Sequence, residues 1–331
     1  MINLATKNAT EVAGLGFRPP ATLCRRRDFL VGGGAAFGAL GALGVAGGVL
    51  PPAGAKRKVR FGVFTDSHYS TREGKFRDSR AKLRKAIDEF NRGGLDFVIE
   101  LGDLKDCGIP PNRAETLGFL DAIEAEFARF NGPRYHVLGN HDMDSISKED
   151  FLSHTENHGE AKGKGHYSFI VGGIKFIVLD ACFNEDMTPY RCGNFNWMKA
   201  FIPDDELVWF DEELKGATTP AVVFCHQMLD GFSEAYVPEK GVFVGNWKRV
   251  VDVMEKRGNV CVAIQGHHHW GYCSFRNEIH YWTVKSMLTS SHSLRNSYAI
   301  VEVSPEGDVS AKGFYDCESI HFLNAHQNKE N

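Results

Sequence analysis

From residue 59 onward the chain alternates short apolar runs with longer amphipathic stretches. Residues 59–65, 97–101 and 135–138 are nearly continuous apolar runs of strand length. Between them, 78–91 carries Leu83, Ile87 and Phe90 at helical spacing, and 113–130 reads as a second helix. After a polar, helix-like stretch at 148–157 the pattern changes. Residues 167–171 and 174–179 read as a hairpin closed by Gly172-Gly173. The spacing then predicts a helix over 204–215 with acidic residues at its start, a strand over 221–224, a helix over 247–256 and a strand over 260–264. From 272 on the runs at 272–275, 278–284, 297–303 and 308–314 read as mostly antiparallel strands. This mixture predicts two packed sheets with helices outside them.

The first 55 residues break the pattern. Arg25-Arg26-Arg27 precedes an uncharged run from Phe29 to Leu50 rich in Gly, Ala, Val and Leu, and the run ends at Pro51-Pro52-Ala53-Gly54-Ala55. A basic start, an apolar middle and a small-x-small end mark a secretory signal. Arg26-Arg27-x-Phe29-Leu30 resembles the twin-arginine export motif. The run is long enough to span a membrane, but its glycine content and its Ala-Gly-Ala exit favour cleavage. The sequence thus divides into a twin-arginine-type signal, 1–55, and a single domain, 56–331. The expected location is periplasmic or secreted, reached through the twin-arginine export machinery, with no stable membrane association after cleavage.

Removing the signal takes five basic and two acidic residues from totals of 38 and 42, leaving 33 and 40 and a net charge of −7. That balance disfavours nucleic acid as the main partner and suits a protein that holds cations. Seven of the eight cysteines remain. Cys182 and Cys192 flank a loop and are candidates for pairing in an oxidising compartment. No CxxC spacing supports a thiolate zinc site.

Five apolar runs end in residues that bind metals. In order they are Asp66-Ser67-His68, Gly102-Asp103, Gly139-Asn140-His141-Asp142, Cys225-His226 and Gly266-His267-His268-His269. Each alone has an ordinary explanation as a cap, a turn or a core histidine. Together, at the ends of strands where α/β sheets gather their sites, they form a hard oxygen-and-imidazole set suited to Mn, Fe or Zn. On extended backbone Asp66 and His68 face together, as do His267 and His269, which leaves His268 pointing elsewhere. Glycine before Asp103, Asn140 and His267 lets the backbone approach a crowded centre.

In this order the pattern D-x-H, G-D, G-N-H-D, H, G-H-x-H resembles that of the calcineurin-like metallophosphoesterases, over residues 61–269. The resemblance implies an α/β (α+β) fold, a four-layer αββα sandwich of two mixed β-sheets flanked by helices. It implies two divalent or trivalent metal ions, one on Asp66, His68, Asp103 and His269, the other on Asp103, Asn140, His226 and His267. It implies hydrolysis of phosphate esters by a hydroxide bridging those ions, with His141 as general acid. Asp106 matches the family carboxylate that orients this histidine, and Asp142 is the other candidate.

The departures narrow the branch. Cys107-Gly108 follows Asp106 where Ser/Thr protein phosphatases have Arg-Gly, and no tyrosine stands at Asp106 as in purple acid phosphatases. What remains is similar to cyclic-nucleotide and ADP-ribose/CDP-alcohol phosphohydrolases. The expected substrate is a small phosphomonoester or a nucleotide-type phosphodiester. A non-catalytic metal- or phosphate-binding protein is the remote alternative, since mere binding needs no proton donor. Tyr69, Arg72, His154, Tyr190, Trp197, Trp270 and His292 stand in or beside predicted loops, where surface or packing duty is the better-supported role for each.

Overall fold

The computed structural model describes residues 56–289 and 295–325. The proposed signal lies outside the described residues, as does His292. Two six-stranded mixed sheets face each other. The first has the order β12-β11-β10-β1-β2-β3 and the second β4-β5-β6-β7-β9-β8. In the first, β1 (Val59–Phe64), β2 (Phe97–Glu100) and β3 (Arg134–His136) run parallel, while β10 (Ser297–Val303), β11 (Val309–Tyr315) and β12 (Ile320–Phe322) add antiparallel. In the second, β5 (Ile174–Val178), β6 (Ala221–Cys225), β7 (Val260–Gln265) and β9 (Ile279–Thr283) run parallel. The edge strands β4 (Tyr167–Val171) and β8 (Tyr272–Arg276) close it antiparallel.

Three apolar clusters make the layers. Between the sheets, Phe61 stacks on Phe97 at 4.7 Å and meets Phe176 and Phe224 edge-on at 5.7 and 5.8 Å. Outside the first sheet, Leu83, Ile87 and Phe90 of α1 (Lys75–Arg92) pack with Phe119, Ile123 and Phe127 of α2 (Arg113–Phe127). Outside the second, Phe210 and Leu214 of α4 (Asp204–Lys215) pack with Val250 and Met254 of α5 (Trp247–Arg257). The helical stripes expected at 78–91, 204–215 and 247–256 therefore bury the faces their spacing marked, and the four-layer αββα sandwich is present.

Local chemistry explains the boundaries. Asn112 caps α2 by accepting the Glu115 N–H, and Ser147 and Asp150 form a capping box on α3 (Lys148–His154). Gly172 and Gly173, both at positive φ, turn the β4–β5 hairpin. The strand expected at 278–284 begins one residue later because Asn277 and Glu278 occupy the left-handed region as a turn. β12 was not expected from the pattern: three residues are too few to show alternation.

Cys182 and Cys192 are not bonded to each other, and all seven cysteines at 107–317 are free thiols. Cys192 is exposed, whereas Cys182 is buried and donates to the Leu138 carbonyl at 3.3 Å. The two thiols flank the loop in sequence but face different surroundings.

Candidate metal centre

The carboxyl ends of β1, β2, β6 and β7 and the turn after β3 converge at one rim of the sandwich. Asp66 is fully buried just beyond β1, tied down by its N–H to the Gly102 carbonyl at 3.0 Å. Its Oδ2 accepts the Thr65 hydroxyl at 2.7 Å and the His267 N–H at 3.2 Å, which leaves Oδ1 facing inward. His269 Nε2 stands 3.3 Å from that oxygen and His68 Nε2 3.7 Å. Asp103 is shared: its Oδ2 lies 3.5 Å from His68 Nε2 and 3.2 Å from His226 Nε2, while its Oδ1 accepts the His141 N–H at 2.7 Å. His226 is oriented by Nδ1 against the Leu101 carbonyl at 2.7 Å, so Nε2 points into the centre.

The backbone bends to achieve this. Asp66, His68, Asp103 and His267 all take positive φ (52°, 46°, 57° and 65°), a conformation costing roughly 1–3 kcal/mol for a non-glycine residue that clusters where function demands it. The expected facing of Asp66 with His68, and of His267 with His269, is therefore reached by another route. Extended alternation does not apply, and left-handed turns after the strands aim the side chains. His268 does point away, to Glu239 at 2.9 Å. The glycines are needed for space. A Cβ on Gly102 would strike the His226 ring, and one on Gly139 would strike the Asp103 amide.

Two groups of ligand-type atoms result, each within 4.8 Å: Asp66 with His68 and His269, and Asp103 with His226 and His267. Each holds three of the four residues that the pattern implies for one metal ion, Asp103 being absent from the first and Asn140 from the second. Burial pushes the His68 and His267 imidazoles down to about 4 and about 3, so both are neutral and keep a lone pair. Burial opposes the charge on His226, yet the Asp103 carboxylate beside it raises that imidazole to about 9.

The unpaired atoms test whether cations fit. Asp66 Oδ1, His226 Nε2 and Asn140 Nδ2 are buried with no hydrogen-bond partner. Such orphans cost about 1–3 kcal/mol each, and all three point to the shared rim. Gln227 Nε2 is 3.5 Å from Asn140 Oδ1, and Gln227 Oε1 is likewise orphaned. Turning both amides over keeps their contact and presents the Asn140 oxygen instead. The donor types, their burial and the neutral His68 and His267 imidazoles fit a pair of hard or borderline cations.

His141 sits beside this set, 29% exposed, its ring edge-on to His68 at 4.8 Å. Its Nδ1 lies 3.3 Å from Asp106 Oδ1, as the pattern implied. It also lies 3.6 Å from Asp144 Oδ2, a residue sequence reasoning missed. The available signal was position: Asp144 follows His141 by three on a 3-10 turn, hence on the same face. Asp142 does not orient His141. Its carboxylate is buried and accepts the N–H groups of Gly139, Asp103 and Leu104 at 2.8, 3.0 and 3.0 Å, locking the two loops together. Beneath the turn the fully buried Lys105 donates to the His141 carbonyl and to Asp144 Oδ1.

Of the loop residues, two reach the rim. Trp197 stands 6.4 Å from His267 between ring centres, and Arg72 donates to Asp106 Oδ2. Tyr69 and Tyr190 are buried packing residues, His154 pairs with Asp121 and Trp270 is exposed. Phe195 packs on His141 at 5.4 Å from the loop that also carries Trp197.

Known proteins are similar to this chain in sequence and in fold. The chain is 25% identical over 274 residues to a manganese-dependent ADP-ribose/CDP-alcohol diphosphatase of Arabidopsis thaliana, covering 69% of this chain and 86% of that one. It is 22% identical over 233 residues to a 3',5'-cyclic-nucleotide phosphodiesterase of Nostoc, covering 69% and 76%. A dimetal phosphatase structure from Danio rerio superposes with a TM-score of 0.68 at 20% identity, covering 82% of this chain and all of that one, and shares the fold. The calcineurin-like phosphoesterase profile matches residues 59–271, the span that carries all seven ligand-type residues, and the chain belongs to that family.

Proposed function

We propose that this metal-dependent phosphoester hydrolase cleaves small nucleotide-type phosphodiesters, with manganese as its working metal. The observation that carries the proposal is the position of Asp103 Oδ2, between His68 Nε2 and His226 Nε2. A carboxylate so placed suits a bridge between two cations, one on Asp66, His68, Asp103 and His269, the other on Asp103, Asn140, His226 and His267. Such a pair would polarise the phosphate and supply a strong oxygen nucleophile at neutral pH. The relatives named as ADP-ribose/CDP-alcohol diphosphatases and as a cyclic-nucleotide phosphodiesterase support the substrate class, and the name of the former supports manganese.

The protein's own groups then have defined tasks. Hydrolysis joins a water oxygen to phosphorus and breaks the ester P–O bond, or in a diphosphate the anhydride P–O bond, and the departing oxygen takes a proton. His141 is placed to give it: partly exposed, against His68, with Nδ1 held toward Asp106 and Asp144, which leaves Nε2 on the opposite side of the ring. Phe195 shields the ring on its other side. The buried Asp142 carboxylate keeps the Asn140–His141 turn in register with Asp103.

The test assays residues 56–331 loaded with Mn(II) against ADP-ribose, cyclic AMP, bis-p-nitrophenyl phosphate and p-nitrophenyl phosphate. The diesters should turn over faster than the monoester. Absence of turnover on all four, with metal bound, would overturn the hydrolase proposal. Residues 1–55 carry the separate proposal of twin-arginine export. Among the described residues no helix is long and apolar enough to cross a membrane.

A further inference from the structure

Glu100 closes β2 three residues before Asp103 and is fully buried. The ladder to β1 ends at Leu101, whose N–H donates to the Phe64 carbonyl at 3.0 Å. At Gly102 the chain turns to a φ of 98°, and its N–H donates to Glu100 Oε1 at 2.5 Å. The second carboxylate oxygen faces His136 Nδ1 at 3.4 Å, and His136 Nε2 faces Glu124 Oε2 of α2 at 3.1 Å. Glu100 and His136 are neighbours across the parallel pair of β2 and β3. Burying a carboxylate is costly unless it is paired, and here an imidazole and a further carboxylate stand behind the one that holds the Gly102 amide.

Gly102 is a junction of the metal centre. Its carbonyl fixes Asp66 by accepting that residue's N–H at 3.0 Å. The next residue is Asp103, whose Oδ2 stands between His68 and His226. A Cβ on Gly102 would meet the His226 ring at 2.5 Å and the Gly139 backbone at 2.8 Å, so the turn is wedged against a third ligand and against the residue before Asn140. Rotation about Gly102 would shift both carboxylate ligands and press on His226. Glycine resists such rotation least of all residues, and the bond from its N–H to Glu100 opposes it.

Resting on the cation pair of the hydrolase proposal above, we propose that Glu100 is a positioning residue for the metal centre, its hydrogen bond to the Gly102 N–H holding Asp66 and Asp103 where they receive the two ions. His136, itself held by Glu124, engages the second oxygen and orients the carboxylate before any metal arrives. Loss of such an outer partner should weaken metal binding roughly 10- to 100-fold.

The test titrates metal-free wild type, Glu100→Gln, Glu100→Asp and Glu100→Leu with Mn(II) by calorimetry, with urea unfolding of each metal-free protein measured alongside. Gln keeps an acceptor at the same reach, Asp keeps the charge but is one methylene too short, and Leu keeps neither. Asp and Leu should raise the Mn(II) Kd at least about tenfold, while Gln should stay within about threefold of wild type. Gln and Asp carry the comparison if Leu does not fold. Wild-type affinity in Asp, with unfolding alone affected, would overturn the proposal and leave Glu100 a buried structural group. Equal losses in Gln and Asp would also overturn it, because charge and not the hydrogen bond would then be at work. Two ions bound by wild type without turnover of any ester would overturn the hydrolase proposal alone, and no binding of Mn(II) by wild type would overturn both.

Discussion

Replacing Lys105 with methionine removes a fully buried ammonium while keeping most of its volume. In the native protein Nζ bonds the His141 carbonyl and Asp144 Oδ1, and Asp144 is almost as deeply buried. After the change Asp144 keeps the Cys107 N–H at 2.9 Å, the Ser145 hydroxyl at 3.0 Å and His141 Nδ1 at 3.6 Å but loses the lysine counter-charge. A buried charge stripped of its partner costs about 3–5 kcal/mol, and the two remaining donors place this case near the lower figure. Urea unfolding of the wild type, Lys105→Met, Asp144→Asn and the double variant measures the coupling. The account predicts a coupling of at least about 2 kcal/mol, because asparagine no longer needs the counter-charge. It also predicts slower turnover of substrates with poor leaving groups, since the His141 turn loses its anchor. A coupling below about 0.5 kcal/mol, or unchanged turnover, would refute the assignment of Lys105 and Asp144 as the support of His141.

Three other outcomes are expected. Truncating His141 to alanine should slow esters with poor leaving groups by about 10²–10⁴-fold and p-nitrophenyl esters much less; equal losses measured across a leaving-group series would remove it as general acid. His136 is buried between Glu100 at 3.4 Å and Glu124 at 3.1 Å. Burial opposes its charge, but the carboxylates raise it to about 9. A raised folded value means its contribution is whole below pH 6.5 and is lost as pH climbs through 9. Unfolding curves between those pH values should fall more steeply for wild type than for His136→Gln, and parallel slopes would contradict this. Phe61→Ala, which empties the centre of the inter-sheet core, should cost about 3–5 kcal/mol by chemical denaturation without altering metal content.

The ligand set could be read before any coordinates because its residue types stand at the ends of unmistakable apolar runs. Strand ends are where the topology of such sheets converges, so order along the chain carried spatial information. Lys105 was not legible for the complementary reason, and Asp144 showed only its spacing of three from His141. Their importance comes from what they touch across 36 and more residues of chain, and no periodicity encodes that. Arg72 was visible only as a loop residue, because its pairing with Asp106 depends on how the β1 loop folds back. Asp66 and His68 face together as alternation predicts, but left-handed turns rather than extended backbone bring them there. Asp142, next to His141 in sequence, has the supporting role that a capping carboxylate would have and holds backbone N–H groups. Cys182 and Cys192 illustrate the same limit, for closeness in sequence did not bring the two sulfurs together.

The central claim is that Asp103 joins two cations, and metal counting tests it most directly. Protein reconstituted with Mn(II), freed of excess ion and measured by elemental analysis should hold about two equivalents per chain. Asp103→Asn should then fall to one or fewer, because both halves lose a ligand. One equivalent in the wild type, or two retained in the variant, would contradict the account.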